Sequence, residues 1–295
     1  MEKVESQMNL LVEEVGYSRA TELFKTLKGG KRLRAKLIFK IAPNAENAPR
    51  LGAIVELIHA ASLLHDDVID DAMTRRGVSS VNATQGSKTS IMLGDILYSK
   101  AFATLVEFDD SIASRIASAV TSLSVGEMID VEMASSFNKD EDKYLEMIYL
   151  KTASLIEACS ACGAILAGKD PEKFALYGKN LGLAFQIIDD ILDITSDEET
   201  LGKPALNDFI EGKCTLPYIY LYEALDPVDK KRLTSCHSRK ISDLDSEWIK
   251  EEMVKLKTIE KSYMLAQKLT QEAIEAVKGE KELVNILESM MKRNF

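Results

Sequence analysis

Leu63-Leu64-His65-Asp66-Asp67-Val68-Ile69-Asp70-Asp71, with Arg75-Arg76-Gly77 just beyond it, is the stretch around which the rest of the chain is arranged. On an α-helix, residues three and four apart share a face. Asp66 and Asp70 therefore stack one turn apart, with Asp67 beside Asp70. Three carboxylates at that range repel one another unless something neutralises them. A hard divalent cation that prefers oxygen, Mg²⁺ above all, suits them, the more so when phosphate oxygens complete its shell. The same i, i+1, i+4 arrangement returns in Gln186-Ile187-Ile188-Asp189-Asp190-Ile191-Leu192-Asp193, again within an apolar helix. One such cluster could be a solvated helix face; two with identical spacing are hard to dismiss.

The first cluster ends a long apolar segment, from about Leu51 to Asp71, carrying Ile54, Val55, Leu57, Ile58, Ala61, Leu63 and Leu64. A helix that is apolar nearly all round is central and buried. Acids at its C-terminal end are disfavoured both by desolvation and by the helix dipole, which metal ions would offset. His59 lies two turns before Asp66 on nearly the same face; a lone histidine there reads either as a satisfied core residue or as part of the site.

Upstream, Leu10, Leu11, Val15, Leu23, Phe24 and Leu27 recur at helical spacing and predict an amphipathic helix, or a pair, between Val4 and Lys28. Gly29-Gly30 ends that element, and Lys31-Arg32-Leu33-Arg34 opens the next, through Leu37, Ile38 and Ile41. Cations at a helix start oppose the macrodipole. Lys31 and Arg34, three apart, make either a phosphate-binding pocket or a solvated basic turn. Pro43 and Pro49 bracket a polar loop.

Downstream, Gly77 to Ser90 reads as a polar loop, followed by helical patterns at about Ser90–Phe108, Ser111–Ser135, Lys139–Leu166 and Glu172–Ser196. Lys151-Thr152, in the third, offers a cation and a hydroxyl, or is an ordinary surface pair. Asp197 to Asp208 is a second long polar loop containing Leu201-Gly202-Lys203-Pro204, and Glu211-Gly212-Lys213 precedes a helix with Pro217 near its start. The remainder, Asp226 to Phe295, is charged and helical. With no strong strand alternation and no dependable linker, one all-α domain over 1–295 is the economical expectation.

The bulk numbers narrow the function. A net charge of −10 over 295 residues argues against general nucleic-acid binding, which wants a basic face. It leaves anionic ligands open, because local Lys, Arg and metal set the field at a site. Four cysteines, Cys159, Cys162, Cys214 and Cys236, suit a reducing compartment better than a disulfide scaffold. Cys159-x-x-Cys162 lacks a second Cys or His pair to complete a zinc set, and its Ala, Ser and Gly neighbours suit a packed helix. The polar, acidic start is no signal peptide, and no uninterrupted apolar run reaches the roughly 18 residues of a membrane span. The chain is expected to be soluble and cytoplasmic, with no membrane span.

As a set, Gly30-Lys31-Arg32-Leu33-Arg34, the two aspartate-rich stretches, Arg75-Arg76-Gly77, Lys151-Thr152, Leu201-Gly202-Lys203-Pro204 and Glu211-Gly212-Lys213 resemble the trans-isoprenyl (polyprenyl) diphosphate synthases. His59 also falls where that family keeps a histidine. Ala35 stands where the family often has proline, and Asp71 is a fourth acid with no assigned role. The resemblance implies an all-α, isoprenoid-synthase-type helical bundle around a central cavity, usually a homodimer. It implies head-to-tail condensation of isopentenyl diphosphate with an allylic diphosphate such as farnesyl or geranylgeranyl diphosphate. Two or three Mg²⁺ ions, or Mn²⁺ in their place, would be held by Asp66, Asp70 and Asp189, with Asp67, Asp190 and Asp193 in support. Arg75, Lys151, Thr152, Gln186, Lys203 and Lys213 would contact the allylic diphosphate. Lys31, Arg34, His59 and Arg76 would hold isopentenyl diphosphate.

In the same family, bulky aromatics four and five residues before the first aspartate close the cavity. Here those positions are Ser62 and Ala61, both small, with Ile58 on the next turn. One helical turn is about 5.4 Å, on the order of one isoprene unit, so the expectation is a long product of about C30 to C50, for quinone side chains. A short-chain synthase of about C15 to C20 is the alternative within the family. A metal-dependent phosphohydrolase would want several histidine ligands, and the chain has three, His59, His65 and His237. A non-catalytic regulatory subunit would lack one acid cluster or the phosphate-binding cations. A terpene cyclase or head-to-head synthase would not need the Gly30–Arg34 site.

Overall fold

The computed structural model describes residues 1–27, 30–196 and 206–292. It is 78 % helical. The amphipathic pair at the start is α1 (Glu2–Glu13) and α2 (Ser18–Thr26), separated at Gly16. α3 (Leu33–Ile41) follows, with Arg32 preceding it in the left-handed conformation at φ 50°. α4 spans Ala48–Ile69, so it begins earlier than the apolar pattern suggests: Pro49 lies inside its first turn rather than at the edge of a loop. Proline is tolerated there because that N–H has no helical partner in any case.

α4 stops by a Schellman motif, which explains Asp71. Asp71 is left-handed at φ 48°, its N–H reaches the Val68 carbonyl at 3.4 Å, and the Ala72 N–H reaches the Asp67 carbonyl at 2.9 Å. Those bonds satisfy carbonyls that the helix end leaves over. Asp71 is thus a helix stop.

The segment expected to be a loop holds two small elements. β1 (Thr74–Arg75) and β2 (Val78–Ser79) pair antiparallel, Thr74 opposite Ser79 and Arg75 opposite Val78. The two residues between them, Arg76 and Gly77, have φ of 53° and 74°. Positive φ at both central positions matches the strand twist of a two-residue hairpin. α5 (Val81–Gln85) then starts at Ser80, whose hydroxyl accepts from the Ala83 N–H.

The other helices are α6 (Ser87–Leu105), α7 (Asp110–Ala134), α8 (Glu141–Ile148), a π-helical segment (Tyr149–Ala153), α9 (Ser154–Leu166), α10 (Pro171–Thr195), α11 (Asn207–Ile210), α12 (Leu216–Ala224), α13 (Pro227–Cys236), α14 (Asp243–Lys255), α15 (Thr258–Ala276) and α16 (Lys281–Met291). The run Glu141–Leu166 is apolar and long enough to cross a membrane by composition, yet 67 % of its most apolar window is buried inside the protein. It is a core helix by that measure.

The chain divides into two compact units, Met1–Val120 with Ala158–Phe174, and Thr121–Glu157 with Ala175–Phe295. In the first, α4 packs against α1, α3 and α6. Leu51, Ile54, Val55, Leu57, Ile58 and Ala61 of α4 are wholly buried. Burying one such large aliphatic side chain stabilises the fold by about 1.5–3 kcal/mol. In the second unit, Phe209 stacks on Tyr218 with ring centroids 4.2 Å apart, in a core that includes Ile194, Leu221, Leu233, Ile249 and Met253.

Candidate active site

The first unit holds a cavity of about 450 Å³. His59, Leu63, Leu64 and Asp67 of α4 face it, with Arg75, Arg76 and Val78 of the hairpin, Arg32, and Glu5 of α1. Sequence places these residues far apart; the α4 Schellman turn and the Arg76-Gly77 hairpin fold Arg75 and Arg76 back beside the helix. The Arg76 guanidinium lies over Gly30, where a Cβ would come within 2.6 Å of it.

Charge in this cavity is unevenly matched. Arg32 is clamped by Glu5, Nε to Oε1 at 2.7 Å and Nη2 to Oε2 at 3.2 Å, and reaches Glu56 Oε2 at 3.4 Å. Glu56 is 2 % exposed and also accepts from the Ala35 N–H at 3.1 Å, in the first turn of α3. Arg75 donates to Asp67 Oδ1 at 2.5 Å. By contrast Arg34 Nε and His59 Nδ1 are both sequestered from solvent and have no hydrogen-bond partner. Burial lowers the His59 pKa well below its ordinary value of 6.5, and the charges of Arg34, Arg76, Arg75 and Arg32 lower it further. His59 is therefore neutral, a donor or acceptor rather than a cation. Lys31 is exposed at the start of α3.

In the second unit, Lys151 and Thr152 sit in the π-helical segment, a geometry frequent at functional sites. Lys151 Nζ is 2.6 Å from Asp130 Oδ2 and 2.8 Å from Glu127 Oε2, both on α7. Burial works against its charge, but the two carboxylates outweigh burial and hold its pKa above the usual lysine value. Thr152 Oγ1 donates to Gln186 Oε1 at 3.0 Å, Gln186 Nε2 donates to Asp190 Oδ1 at 2.8 Å, and Tyr144 Oη donates to Asp190 Oδ2 at 2.6 Å. Asp193 Oδ2 accepts from the Asp208 N–H at 3.2 Å. Lys213 pairs with Glu211 at 3.2 Å. Lys203 lies outside the described residues.

The six acids of the two clusters separate by environment. Asp67, Asp190 and Asp193 are buried and bonded internally. Burial raises the Asp67 carboxyl, with Arg75 pulling it back; burial also raises Asp190, assisted by Asp208 and opposed by its Tyr144 and Gln186 donors. Asp66 and Asp189 are only partly buried, and Asp70 is exposed. The donors are carboxylate oxygens, as a hard cation requires. Among the described residues, no three His, Cys, Asp or Glu side chains converge closely enough to cage an ion alone.

Sequence reasoning quoted Arg32 within its motif without a role of its own, and assigned none to Glu5, Glu56, Glu127, Asp130 and Tyr144. A signal existed for Glu56, a lone acid within an otherwise apolar run. Nothing local marks Tyr144, whose partner is 46 residues away.

Comparison with known proteins identifies the family. The family described as Polyprenyl synthetase matches residues 19–256. A short chain isoprenyl diphosphate synthase of Methanothermobacter thermautotrophicus is 40 % identical over 229 residues, covering 74 % of this chain and 70 % of its own. Octaprenyl diphosphate synthase of Escherichia coli is 36 % identical over 228 residues, 75 % of this chain and 68 % of its own. The crystal structure of octaprenyl pyrophosphate synthase from Helicobacter pylori superposes with a TM-score of 0.95 at 40 % identity, covering 99 % of this chain and 98 % of that one.

Proposed function

We propose, starting from the fact that this chain belongs to the polyprenyl synthetase family and is a trans-prenyltransferase with the all-α isoprenoid-synthase fold, that it makes a long-chain polyprenyl diphosphate. It would add isopentenyl diphosphate head-to-tail to farnesyl or geranylgeranyl diphosphate, for quinone side chains. The observation that carries this reading is the pair of sequestered, partnerless nitrogens, Arg34 Nε and His59 Nδ1, beside an arginine-lined cavity. Buried polar groups are normally satisfied; a diphosphate supplies the acceptor that Arg34 Nε lacks, and one for His59 in the tautomer that carries its proton on Nδ1.

In this reading Lys31, Arg34, His59 and Arg76 hold isopentenyl diphosphate. Arg75, Lys151, Gln186, Lys203 and Lys213 hold the allylic diphosphate, with Thr152 behind Gln186 as its hydrogen-bond donor. Asp66 and Asp70 offer oxygen ligands to Mg²⁺, as does Asp189. Mg²⁺ held by these carboxylates would supply the positive charge that a departing diphosphate needs. Lys151 and Arg75 stabilise the charge that develops on the departing oxygens. Leu63 and Leu64 present apolar surface that keeps water from the allylic cation. The alkene of the second substrate attacks, and released diphosphate takes the proton lost from the adjacent carbon.

Long products are favoured by Ala61 and Ser62, both small and buried, with Ile58 one turn further along α4. Likeness to the octaprenyl synthase of Helicobacter pylori supports the same class. We read 1–295 as one catalytic domain working as a cytoplasmic homodimer, to which the exposed Val125, Met128 and Val131 of α7 would contribute apolar contact surface. The test is incubation with labelled isopentenyl diphosphate, farnesyl diphosphate and Mg²⁺, followed by sizing of the extracted lipid. Products of about C30 to C50 are expected, at on the order of one isoprene unit per helical turn. Lipid that stops at about C15 to C20 overturns the chain length, and absence of incorporation overturns the activity.

A further inference from the structure

Tyr144, Asp190, Gln186 and Thr152 form one hydrogen-bonded chain whose direction is fixed at its middle. A primary amide has two N–H donors and one oxygen, and a threonine hydroxyl has one proton. Gln186 gives one N–H to Asp190 Oδ1 and takes the Thr152 proton on Oε1. A flipped amide would set Oε1 against a carboxyl oxygen and Nε2 against the Thr152 oxygen, losing the bond to Asp190. With Asp190 ionised, its Oδ1 and Oδ2 can only accept, from Gln186 and Tyr144 respectively, and the amide has this one orientation that makes both of its bonds. Tyr144 is wholly buried and Asp190 is 4 % exposed, so neither is placed to meet substrate itself.

The bonds at the head of this chain have consequences at its foot. The Thr152 proton is committed to Gln186, so toward an incoming phosphate the hydroxyl presents lone pairs. The second Gln186 N–H is the donor left over. We propose that Tyr144 and Asp190 are positioning residues that lock the Gln186 amide with this second N–H available to the allylic diphosphate, an assignment that rests on the allylic site described above. Asp190, on this account, acts through Gln186 rather than as a metal ligand.

The test is steady-state kinetics of the full chain with Mg²⁺, varying the allylic and isopentenyl diphosphates separately. Tyr144→Phe, which removes one oxygen, and Asp190→Asn should each lower kcat/KM for the allylic substrate about tenfold, the size of one charge-assisted hydrogen bond. The KM for isopentenyl diphosphate should stay within about twofold, a change too small to reflect a lost hydrogen bond. In a Gln186→Ala background, Tyr144→Phe should have no further effect, because coupled residues fail to add. Unchanged kinetics, equal losses for both substrates, or full additivity with Gln186→Ala would overturn the positioning role. If Asp190→Asn fails to fold, the Tyr144→Phe and Gln186→Ala cycle decides alone. A wild-type chain that incorporates no isopentenyl unit would instead overturn the reading of the site on which the proposal rests.

Discussion

Gly126 of α7 lies directly against the backbone nitrogen of Lys151, so that a Cβ at position 126 would overlap it. On α10, a Cβ at Gly182 would come within 2.5 Å of the Ala153 Cα. The π-helical segment is thus gripped by two glycines. Gly126→Ala and Gly182→Ala should each cost about 1–3 kcal/mol of stability by overpacking, read by urea denaturation. Prenyl transfer should fall further than folded fraction, since the obstructed backbone carries Lys151 and Thr152.

Lys151 is the cation between two buried carboxylates, Glu127 and Asp130. Removing one member of a buried ionic cluster leaves uncompensated charge and costs about 3–5 kcal/mol. Lys151→Ala should therefore lose stability on that scale as well as activity. Equilibrium unfolding of Lys151→Ala beside Lys151→Ala/Asp130→Asn checks it: the second change should recover part of the loss.

His59 predicts a pH effect on stability. Its native pKa lies well below 6.5 while the unfolded chain keeps the ordinary value, so below pH 6.5 the unfolded state binds a proton that the native state refuses. Stability from this group is complete above that value and falls as pH drops below it, by up to about 1.4 kcal/mol per pH unit, until the native histidine itself titrates. His59→Gln should flatten the stability profile between pH 6.5 and the acid limb. An unaltered slope in denaturant titrations would show that His59 titrates normally.

Glu56 ties Arg32 and the first turn of α3 to α4 from inside the core. Glu56→Gln keeps the acceptor for the Ala35 N–H but removes the charge beside Arg32 and Arg34. The KM for isopentenyl diphosphate should change severalfold, with the allylic KM nearly constant. Glu56→Ala should additionally cost about 1–3 kcal/mol, because a buried N–H loses its acceptor.

Ala61→Phe and Ser62→Phe each place an aromatic ring one turn before Asp66. The product should shorten to about C15–C20, one unit fewer for roughly each turn blocked. Chromatographic sizing of the lipid reads the outcome, and an unchanged length distribution would remove Ala61 and Ser62 as chain-length determinants.

Helices were legible wherever apolar spacing persisted over several turns, as from Ser111 to Ser135 or Glu172 to Ser196, where observed ends fall within a few residues of the pattern. The Thr74–Ser79 hairpin was not, because strands of two residues contain no period, although Arg76-Gly77 carried a turn signal. The acid clusters were visible as spacing, but their division into buried and open members was not. That division depends on partners such as Arg75, Tyr144 and Asp208, which come from other elements. The π-helical turn also has no signature in composition, and the glycines packed against it, Gly126 and Gly182, come from other helices.

That turn has a further consequence. Each helical residue advances the side chains by about 100°, so one surplus residue between Tyr149 and Ala153 offsets the angular phase of α8 from that of α9. Deleting Leu150 would leave Lys151 and Thr152 in place and would restore a regular helix. It would also swing Tyr144 about a quarter-turn or more away from Asp190. The half of this helix that carries Lys151 and Thr152 is therefore specified by chain length as strictly as by residue identity, and insertions or deletions within these five positions should be tolerated far less than substitutions on its exposed face.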